Sequence, residues 1–136
     1  MALHGGCLCG ATRYVIEAEP FGIGNCHCID CQRASAAPFV NWGSVPRTSV
    51  RLEKGSLRKI EYARRIRSFA SCCGTPLFFE ESPVAQELDV TIVSLDDPAR
   101  YPPAKNIWIE DQQPWVQLDP RIPAFRRSSR ELESEG

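Results

Sequence analysis

Three cysteines in the stretch Asn25-Cys26-His27-Cys28-Ile29-Asp30-Cys31-Gln32 constrain this chain more than any other feature. The spacing C-x-C-x-x-C, in a loop-like context that begins with Gly22 and Gly24, turns three sulfurs toward one point. That suits a soft divalent metal better than it suits hydrophobic packing. Three ligands also leave open the fourth position that a catalytic zinc needs, so Cys26, Cys28 and Cys31 are the candidate catalytic site; the plainer alternative is a second scaffold zinc completed by a fourth ligand from elsewhere.

The other four of the seven cysteines are also clustered, Cys7 with Cys9 and Cys72 with Cys73. The N-terminus has neither a basic region nor an apolar core of a secretory signal, so the expected location is the cytoplasm. Disulfides are rare in that reducing setting, and clustered thiols there point to metal. No ferredoxin-type spacing is present, which favours zinc over an iron-sulfur cluster. Cys7 and Cys9 are two apart and would share one face of a regular strand. Cys72 and Cys73 are adjacent and would point opposite ways unless the chain turns sharply at Gly74. On this reading Cys7, Cys9, Cys72 and Cys73 make a closed structural site, with Cys72 either a ligand or a free buried thiol.

The rest of the chain reads as short strands. Thr12 to Glu17 alternate in character, and Phe39 to Gly43 and Val50 to Leu52 are strands separated by a turn near Pro46. Leu57 to Ala63 and Ile66 to Ala70 form a hairpin with Arg64 and Arg65 near its turn. Leu77 to Phe79 follows, then Leu88 to Leu95, the clearest strand. Ile107 to Ile109 and Pro114 to Val116 read as short extended pieces. Only Asp30 to Ala37 offers one or two helical turns, ended by Pro38. Eleven prolines and almost no helical periodicity point to a mainly β fold of small sheets pinned by metal. The expected organisation is one domain over residues 1–125 and a polar, mobile tail over 126–136.

With 136 residues, 43% of them hydrophobic, the chain can bury its own core. Its formal net charge of -1 supplies no field for nucleic acid or an anionic membrane, and no apolar run is long enough to span a bilayer. His27 is read as supporting the metal site or facing solvent, and Asp30 and Arg33 as solvated. Arg64, Arg65 and Arg67 could dock a carboxylate but read more simply as a solvated hairpin face. Trp42, Trp108 and Trp115 are assigned to the core.

Four segments together carry a family resemblance: GGCLCGATRY, NCHCIDCQRASAAPFVNW, RSFASCCGTPLFF and NIWIEDQQPW. They resemble the glutathione-dependent formaldehyde-activating enzymes, a superfamily that includes the centromere protein V group, from about Gly5 to Leu118. The resemblance implies a single zinc-stabilised domain of twisted antiparallel sheets and up to two zinc ions. It also implies a carbon-sulfur lyase that combines glutathione with formaldehyde or a related small aldehyde. By position, Cys7, Cys9 and Cys73 match the family's structural zinc ligands, and Cys26, Cys28 and Cys31 its catalytic ones. Two positions depart from the pattern: Ala70 stands where a cysteine is usual, and Asn106 where histidine is frequent. The alternative is a non-catalytic zinc module that binds a thiol ligand or a protein partner, and the oligomeric state is open.

Overall fold

The computed structural model describes residues 2–128. The chain runs through β1 (Leu3–Gly6), β2 (Arg13–Ile16), β3 (Phe21–Cys26), the helix α1 (Ile29–Ser35), β4 (Val40–Pro46) and β5 (Val50–Lys54). It continues with β6 (Leu57–Tyr62), β7 (Arg65–Ala70), β8 (Pro76–Glu80), β9 (Glu87–Thr91) and β10 (Lys105–Ile107), and α1 is the one α-helix among the described residues. The fold is mainly β, as the strand-rich sequence requires. No helix of the described residues is long and apolar enough to cross a membrane.

The chain forms two compact units, Met1–Phe21 with Gly43–Tyr101, and Gly22–Trp42 with Pro102–Gly136. In the first unit β1, β2 and β5 make a three-stranded antiparallel sheet. A second set of strands there follows the order β6, β7, β8, β9 and β4. Tyr14, Val15, Ile16, Leu77, Phe78, Val90 and Ile92 fill its interior, and the rings of Tyr14 and Phe78 meet edge to face at 5.1 Å. Gly5 sits opposite Tyr14 in the sheet, and a Cβ there would fall 2.3 Å from the phenol oxygen. The glycine is therefore what lets the tyrosine lie flat under β1, just before the first cysteine pair.

The second unit contains β3, paired with β10, and α1. Its buried side chains are Cys26, His27, Cys31, Val40, Trp42 and Asn106, so much of that interior is sulfur, imidazole and amide rather than hydrocarbon. Pairing of β10 with β3 is parallel, Asn106 opposite Asn25 and Ile107 opposite Cys26, in a fold otherwise expected to be antiparallel.

Local differences from the sequence reading have local causes. The strand expected over Leu88 to Leu95 stops at Thr91, where Ile92–Ser94 turns into a 3₁₀ helix. The Thr91 hydroxyl donates to the Pro76 carbonyl at 3.0 Å, and the Ser94 hydroxyl donates to the Thr91 carbonyl at 2.7 Å. Those bonds fold the chain back and leave Val93 exposed. Trp108 adopts a left-handed backbone at φ 59° and starts a 3₁₀ turn over Ile109–Asp111, so the extended piece ends at Ile107. Residues Pro114 and Trp115 lie in a turn, and Trp115 is 69% exposed rather than part of a core. The amides of Trp108 and Glu110 donate to the carbonyls of Arg127 and Arg126, at the start of the expected tail. The rest of that tail, 129–136, lies outside the described residues.

Burial holds the Tyr14 phenol neutral and pushes it up to about 12, although its 2.6 Å contact with the Ser94 hydroxyl favours ionisation. A phenol that ionises near 10 when unfolded contributes its stability fully below pH 10 and loses it as pH rises toward 12. Tyr14→Phe is expected to cost about 1 kcal/mol in urea unfolding at pH 7. It should also remove the phenolate absorbance step near pH 12; an unchanged alkaline titration would contradict the assignment.

Candidate metal centre

The first cysteine cluster is assembled by two turns. Cys7 and Cys9 do not lie on a strand face as expected. They lie on the turn joining β1 to β2, closed by Cys7 N–H to the Thr12 carbonyl and Gly10 N–H to the Cys7 carbonyl, both 3.1 Å. The second pair follows β7. Gly74, at φ 81°, donates to the Ala70 carbonyl at 2.8 Å and reverses the chain through Cys72 and Cys73. This is the sharp turn that lets adjacent cysteines reach one point.

All four sulfurs lie within 4.8 Å of one another. The separations are 3.7 Å for Cys7–Cys9, 3.5 Å for Cys7–Cys72, 3.3 Å for Cys9–Cys72 and 3.9 Å for Cys72–Cys73. A zinc ion with four sulfurs at its usual bond length sets tetrahedron edges of about 3.8 Å. The Cys72 sulfur lies 3.3–3.9 Å from each of the other three, and Ala70 is buried. Cys9 and Cys72 are exposed, so this cluster sits at the surface.

Two threonines hold these sulfurs. The Thr12 amide donates to Cys7 Sγ, and its hydroxyl lies 3.3 Å from Cys72 Sγ. The Thr75 hydroxyl lies 3.3 Å from Cys73 Sγ and accepts from the Leu8 amide at 3.0 Å. The protons are unevenly shared as a result. Thr75 and nearby amides pull Cys73 down to about 5. The Ala11 amide favours the Cys9 thiolate, but crowding by Cys72 and Cys7 pushes that thiol up to about 11. Four thiolates cannot coexist this closely without a cation between them.

The second cluster is assembled by a strand end and a helix start. Cys26 closes β3, Cys28 caps α1 by accepting from the Cys31 amide at 3.3 Å, and Cys31 lies in the first helical turn. Their sulfurs also lie within 4.8 Å of one another. Cys26 and Cys31 are buried and Cys28 is half-buried. The shared proton with Cys28, then Cys31, then burial, drives the Cys26 thiol far above its ordinary range. Cys28 is raised as well: its bond with Cys26 favours the thiolate, but Cys31 and burial outweigh it. Three thiols here present one face of a tetrahedron with the fourth corner not supplied by any described His, Cys, Asp or Glu.

His27 does not face solvent. It is fully buried, and its ring nitrogens fall outside the compass of the three sulfurs. Nε2 lies 2.9 Å from Asn106 Oδ1, and the ring packs against Phe39 at 5.0 Å. Its own peptide is tied at both ends: His27 N–H donates to the Ile107 carbonyl at 3.0 Å, and Gln32 Nε2 donates to the His27 carbonyl at 2.6 Å. Gln32 also reaches the Asp111 carbonyl, and Gln113 holds the Gln32 amide oxygen. The backbone between Cys26 and Cys28 is therefore fixed by partners about eighty residues away in the chain. Sequence reading missed Thr12, Thr75, Gln32 and Gln113. For the threonines, a hydroxyl within five residues of a cysteine was the available signal.

The remaining candidates do not converge on either cluster. Asp30 and Arg33 are exposed on α1. Arg65 pairs with Glu81 at 3.1 Å and Arg67 lies over the Phe79 ring at 4.8 Å, so two of the three hairpin arginines are engaged within the chain.

Asn106→Ala removes the only described acceptor for His27 Nε2. The variant is expected to lose about 1–3 kcal/mol in denaturant unfolding. Unchanged stability would mean that this buried bond contributes nothing net. Cys72→Ser should lower the metal content of the loaded chain by one equivalent, measured by mass spectrometry; full retention would show that Cys72 is not a ligand.

A solved crystal structure of a Rhodobacter sphaeroides protein, a structural-genomics target, superposes with a TM-score of 0.58 at 16% sequence identity. The match covers 89% of this chain and 98% of that one, and it supports the fold alone. No curated protein matches the chain significantly. Residues 2–111 match the model of the glutathione-dependent formaldehyde-activating enzymes, and the chain belongs to that family.

Proposed function

We propose that this chain is a zinc-dependent carbon-sulfur lyase that adds the thiol of glutathione to formaldehyde, giving S-(hydroxymethyl)glutathione. Family membership supports the reaction class. One observation carries the assignment of the site: one cluster offers four thiols and the other only three, within the same 4.8 Å compass. Cys7, Cys9, Cys72 and Cys73 would hold a zinc that is coordinatively complete and structural. Cys26, Cys28 and Cys31 would hold the catalytic one. Bound there, zinc supplies acidification of a thiol and polarisation of a carbonyl at its fourth position.

The chain's own residues then do three things. Burial shields Cys26 and Cys31 from water, while half-buried Cys28 is the thiol of the three that solvent reaches. The bonds that Ile107, Gln32 and Asn106 make to His27 fix the Cys26–Cys28 turn, so the trio does not rearrange when the substrate thiol enters. In the reaction the thiol sulfur attacks the carbonyl carbon, one carbon–sulfur bond forms, and the thiol proton ends on the former carbonyl oxygen. That addition also proceeds unaided, so positioning supplies a modest acceleration. A reducing compartment rich in thiols, the cytoplasm, is the setting in which these cysteines and this substrate meet.

The test is the rate of adduct formation, followed by NMR exchange between glutathione and ¹³C-formaldehyde at low reactant concentration. Zinc-loaded protein is expected to exceed the uncatalysed rate, and Cys28→Ser to fall back to it while keeping its circular dichroism spectrum. A loaded protein no faster than the free reactants would overturn the enzyme reading, and tight glutathione binding without acceleration would replace it with a binding module.

A further inference from the structure

β6 ends the strand order of the first unit, and among the described residues it has one neighbour, β7. From Arg58 to Tyr62 every side chain is exposed, Ile60 at 50% and Tyr62 at 75%. An edge strand with free backbone donors and acceptors is a template for another strand, and proteins usually blunt it with charge. Arg58, Lys59 and Glu61 supply that charge here, and no ion pair within the described residues neutralises them. Their order does more than repel.

We propose that β6 pairs antiparallel with β6 of a second copy of this chain, about a two-fold axis through Ile60. A two-fold axis normal to the sheet keeps each side chain on its own face, so opposed residues must differ by an even number of positions. Three central registers meet that condition. Centring on Lys59 opposes lysine to lysine, and centring on Glu61 opposes glutamate to glutamate. Centring on Ile60 opposes Lys59 to Glu61 twice on one face. On the other face it sets Arg58 against Tyr62 twice and Ile60 against itself. Cross-strand neighbours lie about 4.5–5.5 Å apart at Cβ, within reach of an ion pair, of a guanidinium on a phenol ring and of apolar contact. The charges that exclude other strands and slipped registers are therefore met by the same strand turned around. Arg65 and Arg67 on the neighbouring strand add no free charge in the way, since Glu81 and the Phe79 ring engage them. One strand pair is a small interface, so the dimer is expected to be concentration-dependent.

The experiment is sedimentation velocity over a concentration series on the metal-loaded full chain. The wild type should move from monomer to dimer. Lys59→Glu places glutamate against glutamate, Glu61→Lys places lysine against lysine, and each alone should weaken dimerisation by about tenfold or more. Mixing the two variants restores opposite charges at every pair and should restore a heterodimer, a readout that a folding defect in either variant would not give. Circular dichroism of each variant checks that the exposed substitutions leave the fold intact. A wild type that stays monomeric at every concentration would overturn the proposal, as would a dimer indifferent to both swaps or a mixture that fails to recover.

Discussion

Thiols crowded within 4.8 Å of one another, with no hydrocarbon reason to be there, are the constraint on which the rest of the molecule depends. Deprotonating such a set without a cation is opposed by like charge, which is why Cys26 and Cys28 are held protonated and the four-cysteine cluster shares its protons so unevenly. A divalent ion reverses the sign of that interaction and converts a repulsive cluster into a crosslink between segments. In the second unit the constraint is stronger still, because the buried side chains include two of the thiols, an imidazole and an amide.

The two clusters solve the same problem by different backbone means, and the difference bears on function. Four sulfurs delivered by two hydrogen-bonded turns, near the surface and buttressed by threonine hydroxyls, suffice for a crosslink. Three sulfurs delivered by a strand end, a helix cap and a first helical turn are placed by ladders and a buried His27–Asn106 bond. Rigid placement of an incomplete ligand set is what a substrate-binding metal requires. The Asn106 amide oxygen anchors His27, the residue between Cys26 and Cys28.

Much of this was legible in the residues. The cysteine spacing marked both clusters, the turn at Gly74 followed from adjacent cysteines needing one ion, and the helix ended before Pro38 with Ala36 in the left-handed region. The hairpin of β6 and β7 turns through Ala63 and Arg64, both at positive φ, close to where the arginines marked it. What was hidden depended on partners distant in sequence. Thr91 and Ser94 end β9 by bonding backbone that a hydrophobicity pattern does not register. The parallel pairing of β10 with β3 buries His27 against Asn106, and neither residue announces the other. Cys7 and Cys9 were read by strand periodicity, but the turn from Cys7 to Thr12 brings their sulfurs together without it. Ala70 pointed to a missing ligand, and Cys72, two residues on, brings its sulfur within 3.5 Å of those of Cys7 and Cys9.

If the three-cysteine cluster takes the substrate thiol and the four-cysteine cluster does not, glutathione changes the zinc shell at one site only. X-ray absorption at the zinc edge, on fully loaded protein with and without glutathione, tests it most directly. One site completed by four protein sulfurs and one by three sulfurs with a water gives an averaged shell that contains oxygen near about 2.0–2.2 Å beside sulfur near about 2.3 Å. Saturating glutathione is predicted to replace that oxygen with sulfur in wild-type protein. A zinc shell that is all sulfur before glutathione is added, or one that glutathione leaves unchanged, would contradict the account.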